Sequence, residues 1–170
     1  MAEIQNELPL VYLQIGEIHL ARSPAILRTV LGSCVGVTLW AQGLGMGALC
    51  HGVLPRCPRG MQAPEGFRYV DFAIRELVRQ LEMLGAPRRY IEAKIFGGAD
   101  VLPVHHSPSG KATVGRQNSH AALETLREEN LTLAASDVGG PLGRTIEFNT
   151  ATGEVRVRRL PRDTPIPGED

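Results

Sequence analysis

The sequence predicts one α/β domain in which short, closely spaced, mostly antiparallel strands are flanked by helices. Three observations lead there. The first third divides into brief apolar runs separated by glycine, serine and proline, the mark of strands joined by tight connections. Val70, Ile74, Leu77, Val78, Leu81 and Leu84 then keep helical spacing, and Gly85 and Pro87 stop the run. Towards the other end, residues 145–148 and 154–159 flank Asn149-Thr150-Ala151-Thr152-Gly153, a hairpin pattern with glycine near the end of its turn.

In chain order, residues 11–15 are expected as a first strand, closed by Gly16. Residues 25–31 form a second, ending at Gly32-Ser33, and 35–40 a third. The small residues of 41–45 make a turn, and 46–49 resume as a strand ending at Cys50-His51. These neighbours are expected to pair as antiparallel hairpins. Residues 55–68, with Pro55, Pro58 and Pro64, form a loop. The helix that follows packs one apolar stripe on a sheet. Residues 91–96 are a strand opening onto Gly97-Gly98-Ala99, and 100–111, with His105-His106 and Pro108, a loop. Asn118 or Ser119 is expected to cap a second helix reaching about Glu129. Residues 131–135 are a strand broken by Gly139-Gly140-Pro141. The proline-bearing segment 161–170 is expected to be disordered, which leaves 1–160 as the domain.

Composition narrows the function classes. Hydrophobic residues make up 43% and charged residues 21% of the 170, a globular balance, while aromatics at 5% leave the core to Leu, Val, Ile and Ala. Lys+Arg and Asp+Glu are 18 each, so the basic excess of a non-specific nucleic-acid binder is missing. No apolar run reaches the length of a membrane span. The first seven residues are acidic and polar, unlike a secretory signal. Three widely spaced cysteines make no disulfide framework, and a reducing, cytoplasmic setting fits them.

The chemistry concentrates at Cys34 and His51. Cys34 follows the bend Leu31-Gly32-Ser33, and His51 ends a later apolar run. A thiol becomes a strong nucleophile when a neighbouring imidazole takes its proton, so the pair suggests acyl transfer on an amide or ester. The plainer alternative is a small buried cysteine and a structural histidine. Gly32 lets the backbone turn tightly, and N–H groups around Ser33-Cys34 are candidates to hold an oxyanion. Thr29, upstream on the strand, is a candidate partner for His51 in the third place of a triad, or a β-branched strand residue and no more.

Other groups carry weaker signals. Cys34, Cys50, His51 and Cys57 lack the Cys-x-x-Cys spacing of a zinc site, and strand alternation sends Cys50 and His51 to opposite faces. Cys50 then belongs to the core and Cys57 to a loop. Gly97-Gly98 and Gly139-Gly140 do not match a nucleotide fingerprint and are expected to make tight turns near the site. Arg144 is a candidate anion binder or a partner of Glu147. His105-His106 read as solvated loop residues. Arg56, Arg59 and Arg68 offer a basic loop towards an acidic partner, or a solvated one.

Leu31-Gly32-Ser33-Cys34-Val35 followed by His51-Gly52-Val53-Leu54-Pro55 resembles the CheD family, the chemoreceptor glutamine deamidases of bacterial chemotaxis. Glu92-Ala93-Lys94-Ile95-Phe96-Gly97-Gly98-Ala99, Gly115-Arg116-Gln117-Asn118, Asp137-Val138-Gly139-Gly140, Gly143-Arg144 and Thr152-Gly153 agree in the same order, so the likeness runs from about Ile15 to Leu160. The resemblance implies a β-sandwich-like core flanked by two or three helices, similar to Cys–His toxin deamidases. It implies hydrolysis of glutamine side chains in methyl-accepting chemotaxis receptors to glutamate, with release of ammonia. Cys34 matches the family nucleophile, His51 its general base and Thr29 its upstream threonine. No metal or organic cofactor is implied. The implied partners are the receptors and, for some members, a CheC-type phosphatase that restrains them; a monomer is the default state.

Two competing readings make distinct predictions. An adaptor with a weak site would bind receptors and a CheC-type phosphatase without turnover, and its Cys34 would react no faster with iodoacetamide than Cys57. A small-molecule cysteine amidase or esterase would turn over free glutamine or simple esters.

Overall fold

A computed structural model describes residues 7–101 and 110–169 of the chain. The expectations for 1–6 and for His105-His106 lie outside the described residues. In order, the elements are β1 (Leu10–Tyr12), β2 (Ile18–Ala21), β3 (Ile26–Leu31), β4 (Val35–Ala41), β5 (Met46–Gly52), α1 (Val70–Met83), β6 (Ile91–Gly97), α2 (Val114–Glu128), β7 (Thr132–Val138), β8 (Arg144–Asn149) and β9 (Val155–Arg159). Single turns of 3-10 helix precede α1 and β6, at Glu65–Arg68 and Arg88–Tyr90.

The strands form two sheets, β1-β3-β8-β9 and β2-β5-β4-β6-β7. Pairing is antiparallel except at β1–β3 and β6–β7, which are parallel. The α/β class and the sandwich-like core flanked by helices are as expected. Leu27 and Leu31 of β3, Ile146 and Phe148 of β8, Leu49 of β5 and Phe96 of β6 fill the space between the sheets. The opposite face of the five-stranded sheet buries Val35, Val37, Leu39, Ala48, Cys50, Ala93 and Ile95 against both helices. Strand alternation therefore sorts the sequence into two cores, one on each face of one sheet.

Helix α1 forms because Val70, Ala73, Ile74, Leu77, Val78 and Leu81 make one buried stripe. It ends in a Schellman motif. Gly85 takes φ +92, its N–H donates to Glu82 O, and Ala86 N–H donates to Leu81 O. Helix α2 ends in the same way through Asn130 at φ 54, with Leu131 N–H on Leu126 O. Each cap turns the chain directly into the next strand region.

The structure corrects three local expectations. Strand β2 falls just past the expected first strand, and its half-buried Ile-His-Leu-Ala pattern against β5 carried little signal. Strands β3 and β4 are not hairpin partners. β3 pairs with β8 along its length, and the bend at Gly32–Cys34 carries the chain from one sheet to the other. Helix α2 begins at Val114, capped by Thr113, whose Oγ1 accepts from Arg116 N at 3.3 Å. Asn118 lies buried in its second turn rather than at its cap. The first turn was hard to read because Gly115 packs there. A Cβ on it would sit 2.6 Å from Gly98 O, so close approach replaces an apolar side chain.

In β5, Met46, Ala48 and Cys50 face the helices, while Gly47, Leu49 and His51 face the other sheet. A Cβ on Gly47 would lie 2.8 Å from the Phe148 ring and from Thr150 Cγ2. The segment 161–169, where proline content predicts disorder, follows a defined path. Leu160 N–H donates to Gly143 O, Thr164 N–H to Pro161 O, and Glu169 reaches the bend before β4.

Candidate active site

β3 alternates half-buried and buried residues, which turns Leu27, Thr29 and Leu31 inward. Thr29, fully buried, meets His51 across the space between the sheets: Thr29 Oγ1 lies 2.7 Å from His51 Nδ1 and 2.9 Å from Leu13 O. A carbonyl can only accept, so the single hydroxyl hydrogen of Thr29 goes to Leu13. Its oxygen must then accept, and His51 carries its proton on Nδ1. Nε2 is left with the lone pair, buried and without a hydrogen-bond partner among the described residues. The histidine backbone is fixed as well, its N–H on Glu17 O at 3.0 Å and its O holding Gly16 N–H at 2.9 Å. Burial pushes the imidazole pKa down to about 4, so the ring is neutral.

Cys34 lies two residues before Gly36, which pairs with His51 across β4 and β5. Cys34, Gly36 and His51 therefore share the face turned to β3. All three carbonyls of the bend are engaged on its inner side. Gly32 O accepts Ala99 N–H at 2.9 Å, Cys34 O accepts Gly98 N–H at 2.8 Å, and Ser33 O accepts Asn118 Nδ2 at 3.1 Å. In a trans peptide the C=O and the following N–H point opposite ways. Tying Gly32 O inward thus aims Ser33 N–H outward. That N–H meets Glu169 Oε1 at 2.5 Å, and Ser33 Oγ is 2.6 Å from the same oxygen. Burial first, and the Glu169 charge second, push the Cys34 thiol up to about 12.

The structure joins Thr29 and His51 by a hydrogen bond and places Cys34, next to Gly32 and Ser33, on the same face of the sheet as His51, while the other cysteines lie apart. Cys50, also pushed up to about 12 by burial, faces the helices, and Cys57 N–H donates to Asp71 Oδ1. Arg144 is a correction: Glu147 pairs with Arg28, while the buried Arg144 guanidinium holds the Asp137 carboxylate and the carbonyls of Asp137 and Gly139. Arg56, in the loop open to either a steering or a solvated role, is paired with Glu124 on α2. Sequence reasoning missed two residues. Asn118 donates to both Ser33 O and Val53 O, tying the nucleophile bend to the chain just past His51. Its signal was an amide in line with Ala121, Ala122 and Thr125 on the buried face of α2. Glu169, in a segment set aside as a tail, gave no such signal.

Comparison with known proteins decides the family. The model of the family described as CheD chemotactic sensory transduction matches residues 53–159. A protein of Geobacter sulfurreducens named "Probable chemoreceptor glutamine deamidase CheD 2" is 44% identical over 159 residues, 92% of this chain and 93% of its own length. The chain belongs to the CheD family. Proteins named "Probable chemoreceptor glutamine deamidase CheD" from Maridesulfovibrio salexigens and Pseudomonas syringae pv. tomato are 35% and 39% identical, over 94% and 86% of this chain and 97% and 86% of their own. The CheD-like stretches, scattered through the sequence, converge in space. Gly97-Gly98-Ala99, Gly115, Asn118 and the turn held by Arg144 all pack on or beside the bend that carries Cys34. Gly139 N–H, for example, donates to Gly97 O. Among the described residues no helix is long and apolar enough to cross a membrane.

Proposed function

We propose that this chain hydrolyses the side-chain carboxamide of glutamines in chemotaxis receptors, leaving glutamate and releasing ammonia. One observation carries the reading: the Leu13–Thr29–His51 relay, which leaves a free Nε2 lone pair on the face shared with Cys34. His51 Nε2 takes the Cys34 proton, and the sulfur attacks the carboxamide carbon. The oxygen gains the electron pair of the C=O bond and is held by Ser33 N–H. When the pair returns, the C–N bond breaks and the proton on Nε2 goes to the leaving nitrogen. A water then attacks the thioester carbon while His51 takes its proton. The C–S bond breaks, and the proton returns to sulfur. Thiol, imidazole and water suffice, so no metal or organic cofactor enters the proposal.

The same reading makes the receptors the protein's partners and the cytoplasm its compartment, with the chain acting as a monomer and a CheC-type phosphatase as a second partner. Incubating a purified cytoplasmic receptor fragment with the wild-type protein or with Cys34→Ala, followed by peptide mass spectrometry, tests it. Amide-to-acid conversion by the wild type alone is expected. Binding without conversion would favour the adaptor reading, whose support is a thiol held protonated at the resting site.

A further inference from the structure

Glutamine deamidation ends with a glutamate side chain lying beside the nucleophile. The chain already places such a group there. After β9 it doubles back: Ile166 packs against Gly143, Gly168 against Ile15, and Glu169 N–H closes a turn on Ile166 O at 3.2 Å. The Glu169 carboxylate then takes the Ser33 N–H and hydroxyl through one oxygen, at 2.5 and 2.6 Å. Gly32 makes room for it. A Cβ there would stand 2.6 Å from Glu169 Oε1, although Gly32 is not among the glycines with positive φ. The glycine thus serves the space for a carboxyl group rather than the turn. Cys34 is left only 3% exposed.

We propose that the Gly32-Ser33 bend is the subsite for the glutamyl side chain of a peptide substrate, and that Glu169 occupies it as a tethered product analogue. The proposal rests on the deamidase reading of the site. Its logic is a match of group and stem: a two-methylene chain ending in a carboxyl, with one oxygen on the N–H that the oxyanion would use. Tethering gives the mimic an effective concentration of order millimolar, so a substrate must compete with it. The carboxylate also adds its charge next to the thiol, which disfavours thiolate. A substrate that displaces Glu169 brings a neutral carboxamide instead, removing that charge as it arrives. Closure and low reactivity are therefore relieved by one event.

The test compares full-length wild type, Glu169→Ala and Glu169→Gln by iodoacetamide labelling at pH 8, read separately on Cys34 and Cys57 by mass spectrometry. Cys57 labelling should be the same in all three, which reports an intact fold. Cys34 should label at least about tenfold faster in Glu169→Ala, the gain for one pKa unit of thiol acidity, with Glu169→Gln between. Millimolar N-acetylglutamate amide should slow Cys34 labelling in Glu169→Ala. Unchanged Cys34 labelling in Glu169→Ala overturns the proposal, even if the wild type deamidates receptors. Faster labelling with protection by N-acetylglutamate amide supports the subsite, even if no receptor glutamine is converted.

Discussion

Thr29 and His51 belong to different sheets of the sandwich and meet at 2.7 Å through Oγ1 and Nδ1. The histidine's proton position is therefore set by how the two layers pack. The first prediction follows. Thr29→Val keeps the shape but removes the acceptor, leaving Nδ1–H buried and unsatisfied. Receptor deamidation should fall roughly tenfold to hundredfold, within the range general base catalysis supplies. Thr29→Ser should retain most activity. Equal losses in the two variants, compared under conditions where both are folded, would show that the hydroxyl has no orienting role.

Acid should destabilise the protein through His51. Its folded pKa of about 4 lies below the ordinary value of 6.5. Between those values the unfolded chain binds a proton that the folded chain refuses, so stability rises with pH across that window. The contribution is complete above about pH 7 and lost as pH falls towards 4, on the order of 3 kcal/mol. Urea midpoints of wild type and His51→Asn between pH 7 and 4 measure it. The variant keeps a donor for Thr29 and should lose part of the wild-type slope; identical slopes would refute the assignment.

Asn118 is a positioning residue for the bend. Asn118→Ala strips the donors from Ser33 O and Val53 O in a buried place, which costs about 2 kcal/mol or more. Asn118→Asp, with no donor and a negative charge, should cost more. At a temperature where both variants are folded, kcat for deamidation should fall at least about tenfold with KM little changed, because the bend's geometry rather than its affinity is altered. Activity that simply tracks the folded fraction would argue for a structural role alone.

Gly97→Ala and Gly43→Ala separate two kinds of cost. Both glycines have positive φ, +100 and +78. A Cβ on Gly43 meets open space, whereas one on Gly97 runs into the carbonyl of Cys34. Gly43→Ala should cost about 1 kcal/mol in urea melts, and Gly97→Ala roughly 3 kcal/mol or more together with the deamidase activity. Matching costs would mean that the turn yields freely at Gly97.

The sequence disclosed those parts of the fold that depend on local pattern. α1 was legible because its stripe and its Gly85 stop lie in one stretch, and β3 to β5 because each is an apolar run with clear ends. Cys34, His51 and Thr29 could be singled out from residue type and from resemblance, but the Thr29–His51 contact and the face that Cys34 shares with His51 depend on which sheet each strand joins, and no local pattern carries that. The crossing of the chain between sheets at Gly32–Cys34 was invisible for the same reason. Asn118 was misread because its partners, Ser33 and Val53, are 85 and 65 residues away. Of the two roles open to Arg144, binding a carboxylate holds, with Asp137 as the partner, and pairing with Glu147, three residues along, fails because β8 alternates the two to opposite faces.

Cys50 and His51 are neighbours on β5, so the strand holds two thiol-and-imidazole arrangements one step apart. Were β5 to zip up out of phase by one position, Cys50 would face Thr29 and the imidazole would be driven against the helices. Gly47 forbids that mistake: in the shifted alignment Met46 or Ala48 would press into Phe148 and Thr150, where even a Cβ has no room. The glycine thus keys the register of the strand that carries His51, from a position that bears no reactive group of its own.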